Sequence, residues 1–265
     1  MIAIQMKIDV FQVDAFTKDL FSGNPAAVCL LSDWLSDELM LSIAFENNLS
    51  ETAFLNLSED PIGIRWFSPK REVDLCGHAT LASARILFDL TQFKNTEKIV
   101  FKSKRGLLMA KKEDDLIFLD FPLDNPLSVD QNPSKDLFGF ESKESYRGRD
   151  DYLFIFNSEE EIRAINPNYE KIKKLDSRGA IITARDSSGG IVSRCFYPKY
   201  GIDEDPVTGS AHTLIVPYWS SLFGSTKINA RQLSDRGGQL FCEVIGDRVS
   251  IGGYTSVFFT GQIEI

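Results

Sequence analysis

Four side chains in this sequence are of types that move protons or hold anions. Glu51 lies in Asn48-Leu49-Ser50-Glu51-Thr52, just ahead of the apolar run Ala53-Phe54-Leu55. A carboxylate at such an edge is half-buried, and desolvation raises its pKa toward the range a general acid/base needs near neutrality. The same Ser-Glu-Thr would serve equally as an element cap. His78 follows Gly77 at an expected helix start, where the dipole disfavours protonation. A lone histidine is commonly structural, but this one sits in a loop that the chain repeats. Asp205 belongs to Asp203-Glu204-Asp205-Pro206, where three acids sharing one environment would raise one another's pKa, an exposed acidic turn being the plain alternative. Cys76 precedes the same helix as His78, so its thiolate would gain from the dipole. A racemase using two thiols needs a second cysteine at the matching place downstream. The chain offers Asp205-Pro206 there, with Cys195 ten residues earlier in a strand, so composition excludes a two-cysteine mechanism.

These residues fall inside a duplication. Arg65-Trp66-Phe67-Ser68-Pro69-Lys70 leads through Asp74 to Cys76-Gly77-His78-Ala79, and Arg194-Cys195-Phe196-Tyr197-Pro198-Lys199 leads through Asp203 and Asp205 to Gly209-Ser210-Ala211. Arg, Phe, Pro, Lys and Asp recur at a 129-residue offset. Ser103-Lys104-Arg105-Gly106 and Ser234-Asp235-Arg236-Gly237 recur at 131, which points to two extra residues, Pro206 and Val207, in the second copy. The period is too long for a solenoid. It implies two homologous domains on a pseudo-two-fold axis, with a cleft between them. Each copy ends in a glycine before an apolar helix, and such a start binds anions through free N–H groups. Paired starts at Gly77 and at Gly209-Ser210, facing each other, would suit a carboxylate.

The elements that must position these loops follow from periodicity. Lys7 to Ala15, Ala26 to Leu31, Leu49 to Leu57 and Ile62 to Phe67 read as strands, with a turn at Phe21–Pro25. Met1 to Val13 alternates throughout. Asp33 to Asn47 reads as a helix with Trp34, Leu35, Leu39, Ile43 and Ala44 on one face. The second half repeats the order, with a polar helix near Glu159 to Leu175, interrupted at Asn166-Pro167, and a strand at Ala180 to Ala184. Ala79–Phe88 and Ala211–Trp219 are apolar nearly all round and must be enclosed, each as a central helix wrapped by a sheet. Pro217 should kink the second. Phe118 to Asn132, with Pro122, Asn125 and Pro126, reads as the linker. The expected domains are residues 1–120, joined by a last strand at about 258–265, and residues 125–257.

With 265 residues, the chain is long enough for two cores. A net charge of −9 argues against nucleic acid. No apolar run reaches the roughly 18 residues of a membrane helix. The start lacks the basic and apolar regions of a signal peptide, so the cytoplasm is expected. Cys29, Cys76, Cys195 and Cys242 form no CxxC pair, and only two histidines are present, so neither a disulfide framework nor a histidine-rich metal site is expected.

Five motifs resemble the phenazine-biosynthesis (PhzF-like) isomerase family: Asp14-Ala15-Phe16, Gly23-Asn24-Pro25-Ala26-Ala27-Val28, Asn48-Leu49-Ser50-Glu51-Thr52, Cys76-Gly77-His78-Ala79-Thr80 and Asp205-Pro206-Val207-Thr208-Gly209-Ser210-Ala211. They run in family order over nearly the whole chain. The resemblance implies the diaminopimelate epimerase-like fold. That fold is α+β, with two homologous domains, each a curled, mostly antiparallel sheet around a central helix, and the active site in the cleft between them. It implies that Glu51 is the acid/base that moves a proton between carbons of a cyclic amino acid-like substrate. His78 and Asp205 would hold the substrate and assist, while Asn24, Ser50, Gly77, Thr208, Gly209 and Ser210 would line the pocket. No cofactor and no metal are implied, the partner being a small anionic substrate, and a homodimer is open. The phenazine enzyme itself carries a small residue at the place of Cys76, so this chain looks like the broad branch of homologues. A racemase or epimerase of the same fold, with Glu51 or Asp205 as the other base, and a non-catalytic binding module are the competing expectations.

Overall fold

Alternating burial sets the first ladder: along Lys7–Ala15, Ile8, Val10 and Val13 turn inward. The computed structural model describes residues 6–265, so the expected strand character of Met1–Gln5 lies outside the described residues. The chain divides into two units, one running to Asp120 and taking up Gly253–Ile265, the other Phe121–Gly252.

The first unit contains β1 (Lys7–Ala15), β2 (Asn24–Leu31), α1 (Asp37–Asn47), β3 (Glu51–Asn56), β4 (Ile62–Phe67), β5 (Glu72–Val73), α2 (Gly77–Asp89), β6 (Lys98–Ser103) and β7 (Gly106–Glu113), with β8 (Leu116–Pro122) leading out. From β1 onward the main ladder runs β1-β2-β3-β4-β6-β7-β8. Its pairings are antiparallel, parallel, antiparallel, parallel, antiparallel and antiparallel. Helix α2 packs on β1, β2 and β3 and buries residues on every side. Ala79, Ala82, Ser83 and Ala84 keep that helix narrow. The buried Thr80 and Ser83 hydroxyls donate back to the Cys76 and Ala79 carbonyls at 2.6 and 2.7 Å.

The second unit contains β9 (Leu127–Ser128), α3 (Ser134–Phe138), β10 (Glu144–Arg147), β11 (Asp151–Ile155), α4 (Glu159–Ala164), α5 (Tyr169–Ile172), β12 (Gly179–Arg185), β13 (Ile191–Phe196), α6 (His212–Phe223), β14 (Lys227–Gln232), β15 (Gly238–Ile245) and β16 (Arg248–Gly253). Its ladder β10-β11-β12-β13-β14-β15-β16 repeats the same sequence of antiparallel and parallel pairings. Each ladder also gains a strand on its first member, β9 on β10 and β17 (Thr255–Glu264) on β1, both antiparallel. Pro217 stands inside α6 and has no N–H to give. The Thr213 carbonyl, four residues back, instead accepts the Asp124 N–H at 3.1 Å.

The repeated arginines do the same work in each half. Arg65 holds Glu72 through two parallel hydrogen bonds of 2.7 and 2.8 Å, and Arg194 holds Glu204 through two of 2.8 Å. Both guanidinium carbons sit 5.2 Å from a ring centroid, of Phe67 and Phe196 respectively. Arg65 and then Lys104 hold Glu72 below the usual carboxylate range, against its burial. These partners also correct the placement of the extra residues. The second copy is three residues longer between its arginine and glutamate (65 to 72 against 194 to 204). The extra residues thus lie between Lys199 and Glu204 and not at Pro206-Val207, and one residue fewer follows before Ser234. The Asp74–Asp203 match falls inside that inserted stretch. In the corrected frame Gly77 answers Gly209 and Cys76 answers Thr208, not Asp205-Pro206.

Other boundaries move for local reasons. Ser36 accepts the Leu39 N–H and starts α1 at Asp37, so Trp34 and Leu35 pack on the core from outside the helix. The expected polar helix near 159–175 is two short ones, capped by Ser158 and Asn168 with Pro167 between. Phe118–Pro122 is the end of β8 and not linker.

Candidate active site

Strand β3 starts with Glu51 and α2 starts after Cys76, and this brings the first unit's chemistry together. His78 Nε2 lies 3.3 Å from Glu51 Oε2, the two side chains keeping 7% and 14% of their exposure. Cys76 Sγ lies 3.6 Å from His78 Nδ1 and 3.9 Å from Nε2. One ligand atom from each of Glu51, Cys76 and His78 lies within 4.8 Å of the others, so this is where the fold offers donors for a metal ion. Burial pushes the His78 pKa down to about 3, so the ring is neutral at neutral pH and meets Glu51 as a hydrogen-bonding group, not as a cation. Cys76 occupies the N-cap of α2 without a side-chain cap bond. The other three thiols are buried elsewhere, and burial alone holds Cys29 up at about 12.

The remaining expected residues of this unit lie close in the chain or ladder. Ser50 directly precedes Glu51. Asn24 opens β2 and is fully buried, two residues before Ala26, which pairs with Glu51 in the parallel β2–β3 ladder. Gly77 is the first residue of α2.

In the second unit the Asp205–Thr208 loop is tied by one side chain. Gln232 accepts the Thr208 N–H at 2.8 Å, donates to the Asp205 carbonyl at 2.8 Å and reaches Thr208 Oγ1 at 3.2 Å. The Thr208 hydroxyl in turn bonds the Asp205 carboxylate. His212 Nδ1 lies 2.9 Å from the Thr208 carbonyl, which fixes the proton on Nδ1. Its buried Nε2 meets no hydrogen-bond partner among the described residues, and burial lowers the His212 pKa to about 4. This side chain takes the carbonyl that would otherwise begin the helix, so α6 starts at His212, and Gly209, expected at a helix start, lies in the turn before it. Ser210 receives a hydrogen bond from Arg178 at 3.2 Å, while Arg178 pairs with buried Asp151.

The three neighbouring acids do not share an environment: Asp203 is exposed, Glu204 is clamped by Arg194 and Asp205 is buried. Two surface depressions of this unit, one by Asn166–Lys173 with Asp203 and one by Arg185–Gly189 with Phe223, contain no expected site residue. Gln232, His212 and Arg178 were not singled out from sequence. Gln232 alone carries a signal, a polar residue in register with inward Ile228 and Ala230.

The family described as phenazine biosynthesis-like protein (PhzC-PhzF) matches residues 13–261. This chain belongs to the PhzF-like family. It is 43% identical to an uncharacterized isomerase of Pseudomonas aeruginosa, over 98% of this chain and 100% of the relative. A PhzF-family crystal structure from Enterococcus faecalis superposes with a TM-score of 0.94 at 43% identity, covering 98% of this chain and 100% of the other. A hydroxyproline epimerase from Agrobacterium vitis shares the fold alone, with a TM-score of 0.64 at 11% identity over 97% of this chain and 91% of the other. The PhzF-like chain is thus an enzyme of the isomerase class, on the epimerase fold. None of its described helices is long and apolar enough to cross a membrane.

Proposed function

We propose that this PhzF-like enzyme moves a proton between two carbons of a small carboxylate-bearing substrate, of the cyclic amino acid-like kind that the family resemblance implies, without a cofactor. Glu51 is the acid/base in this proposal. The observation that carries it is the Glu51–His78 contact of 3.3 Å at a half-buried β3 start, where a carboxylate stands beside a neutral imidazole. A neutral Nε2–H can donate to the carboxylate and orient it toward a substrate without cancelling its charge. His78 and Asp205 assist and hold the substrate. Asn24, Ser50, Gly77, Thr208, Gly209 and Ser210 complete its contacts, with backbone N–H groups at Gly77, the start of α2, taking the carboxylate together with those of the Gly209-Ser210 turn ahead of α6. A cytoplasmic location and a homodimer belong to the same proposal, the second checked by sedimentation.

The test incubates the enzyme in D₂O with small cyclic and acyclic amino-acid carboxylates and reads deuterium at carbon by mass spectrometry. Deuterium uptake together with a shifted double bond supports the isomerase. Uptake with inverted configuration alone supports the epimerase, and no uptake on any carboxylate counts against both.

A further inference from the structure

Glu51, Cys76 and His78 supply three different donor atoms at one place, with separations near those of a coordination polyhedron. Zinc binds sulfur at about 2.3 Å and nitrogen or oxygen at about 2.0–2.2 Å. In a tetrahedron these lengths put sulfur about 3.6 Å from nitrogen and nitrogen about 3.4 Å from oxygen. The observed distances are 3.6 and 3.9 Å from Cys76 Sγ to the two ring nitrogens of His78, and 3.3 Å from His78 Nε2 to Glu51 Oε2. All three donors fall within 4.8 Å of one another. With Nε2 as the shared nitrogen, the oxygen already stands 3.3 Å away and the sulfur 3.9 Å, so an ion entering there draws the Cys76 sulfur inward.

Charge and donor type agree with the geometry. A thiolate and a carboxylate together neutralise a divalent cation, so the ion enters this partly buried place without net charge. The thiol gives up its proton to solvent as the metal–sulfur bond forms. A mixed sulfur, nitrogen and oxygen set favours zinc-like ions over magnesium or calcium, which take oxygen ligands. Three protein ligands leave the fourth position of a tetrahedral ion open to water or to a ligand carboxylate. We propose that Glu51, Cys76 and His78 form a binding site for a zinc-like divalent cation with one open coordination position. A metal bound there holds the Glu51 carboxylate and takes it out of proton transfer, so zinc inhibits the isomerase. That consequence rests on the role given to Glu51 above, whereas the binding does not.

Cobalt(II) makes the site visible, because zinc has no d–d spectrum. Titrating the full-length, metal-free enzyme with Co²⁺ should raise a thiolate-to-metal charge-transfer band in the near ultraviolet, together with visible bands of tetrahedral intensity, and Zn²⁺ should displace them. Cys76→Ser should abolish the ultraviolet band. His78→Ala should weaken binding by more than the ~10–100-fold that loss of an outer partner alone costs. Circular dichroism confirms that each variant is folded. Independently of any variant, Zn²⁺ should slow alkylation of Cys76 by iodoacetamide, read by peptide mapping, while Mg²⁺ does not. The site is overturned if the folded parent shows no thiolate band with Co²⁺, if the band survives in Cys76→Ser, or if Zn²⁺ leaves the alkylation rate of Cys76 unchanged. Binding with unaltered proton transfer would fault the role of Glu51 and leave the site standing.

Discussion

The two units have the same skeleton and opposite chemistry. Both carry seven strands paired in one identical order, a helix packed on them, and an arginine clamped to a glutamate beside a phenylalanine ring. At the helix mouth they part. The first unit gathers a carboxylate, a thiol and a neutral imidazole within hydrogen-bonding or near-bonding distance. The second places a threonine where the first has Cys76, and closes the loop with Gln232 and a buried histidine. One half thus gathers ionisable donor atoms at the helix mouth, and the other ties its loop with amide, hydroxyl and imidazole hydrogen bonds. The framework fixes where each helix packs, and a few side chains at its mouth decide what stands there and, through His212, where α6 begins.

The comparison breaks most readily at Gln232. Replacing it with leucine strands the Thr208 N–H and the Asp205 carbonyl in a buried place, while the Thr208 hydroxyl keeps the Asp205 carboxylate. The cost should be roughly 2–4 kcal/mol, since each orphaned buried group is worth about 1–3 kcal/mol. Urea denaturation measures it, and Gln232→Glu should recover part of the loss. A cost under about 0.5 kcal/mol would mean that the clamp does not fix the loop.

The arginine clamps sharpen the likeness. Arg65→Met and Arg194→Met each leave a glutamate without its two guanidinium hydrogen bonds, and each should cost about 1–3 kcal/mol. Similar values in the two variants, by the same denaturant titration, would show that the repeated device is equivalent in both halves.

Acid should act on both units through their histidines. The pKa values of His78 and His212 are lowered from 6.5 to about 3 and about 4 by burial. Unfolding lets each ring take a proton below pH 6.5, so the native state binds fewer protons and stability falls as pH drops from 6.5 toward those values. The slope contributed is at most about 1.4 kcal/mol per pH unit for each histidine. Denaturant midpoints between pH 7 and 4.5 should show it, and His212→Gln should flatten the profile by about half.

Much of this arrangement is legible in the sequence because it rests on periodicity. β1 and β4 start and end where alternation does, and the two central helices follow from segments with no polar face. The duplication itself was readable from Arg65 and Arg194. Its inserted residues were not, because Asp203 mimics Asp74 by position alone while the ion pairs align Glu204 with Glu72. The start of α1 misled for a similar reason: Trp34 has helical spacing but is tied to Glu59 by its indole N–H from an extended segment. His212 read as one more residue of an apolar helix. Only coordinates show its ring taking the carbonyl that shortens α6. The contacts among Glu51, Cys76 and His78 join residues from two elements, and spacing along the chain carries no trace of them.

The central claim is that proton transfer belongs to the first unit's Glu51. It is tested most directly by comparing Glu51→Gln with Asp205→Asn on one substrate that the parent converts, in D₂O, reading deuterium incorporation and substrate affinity together. Glutamine keeps the shape but cannot carry the proton, so incorporation should fall by the ~10²–10⁴-fold typical of a placed general base, with affinity nearly unchanged. Asp205→Asn should weaken affinity and retain measurable exchange. Undiminished deuterium incorporation by the folded Glu51→Gln enzyme would contradict the account.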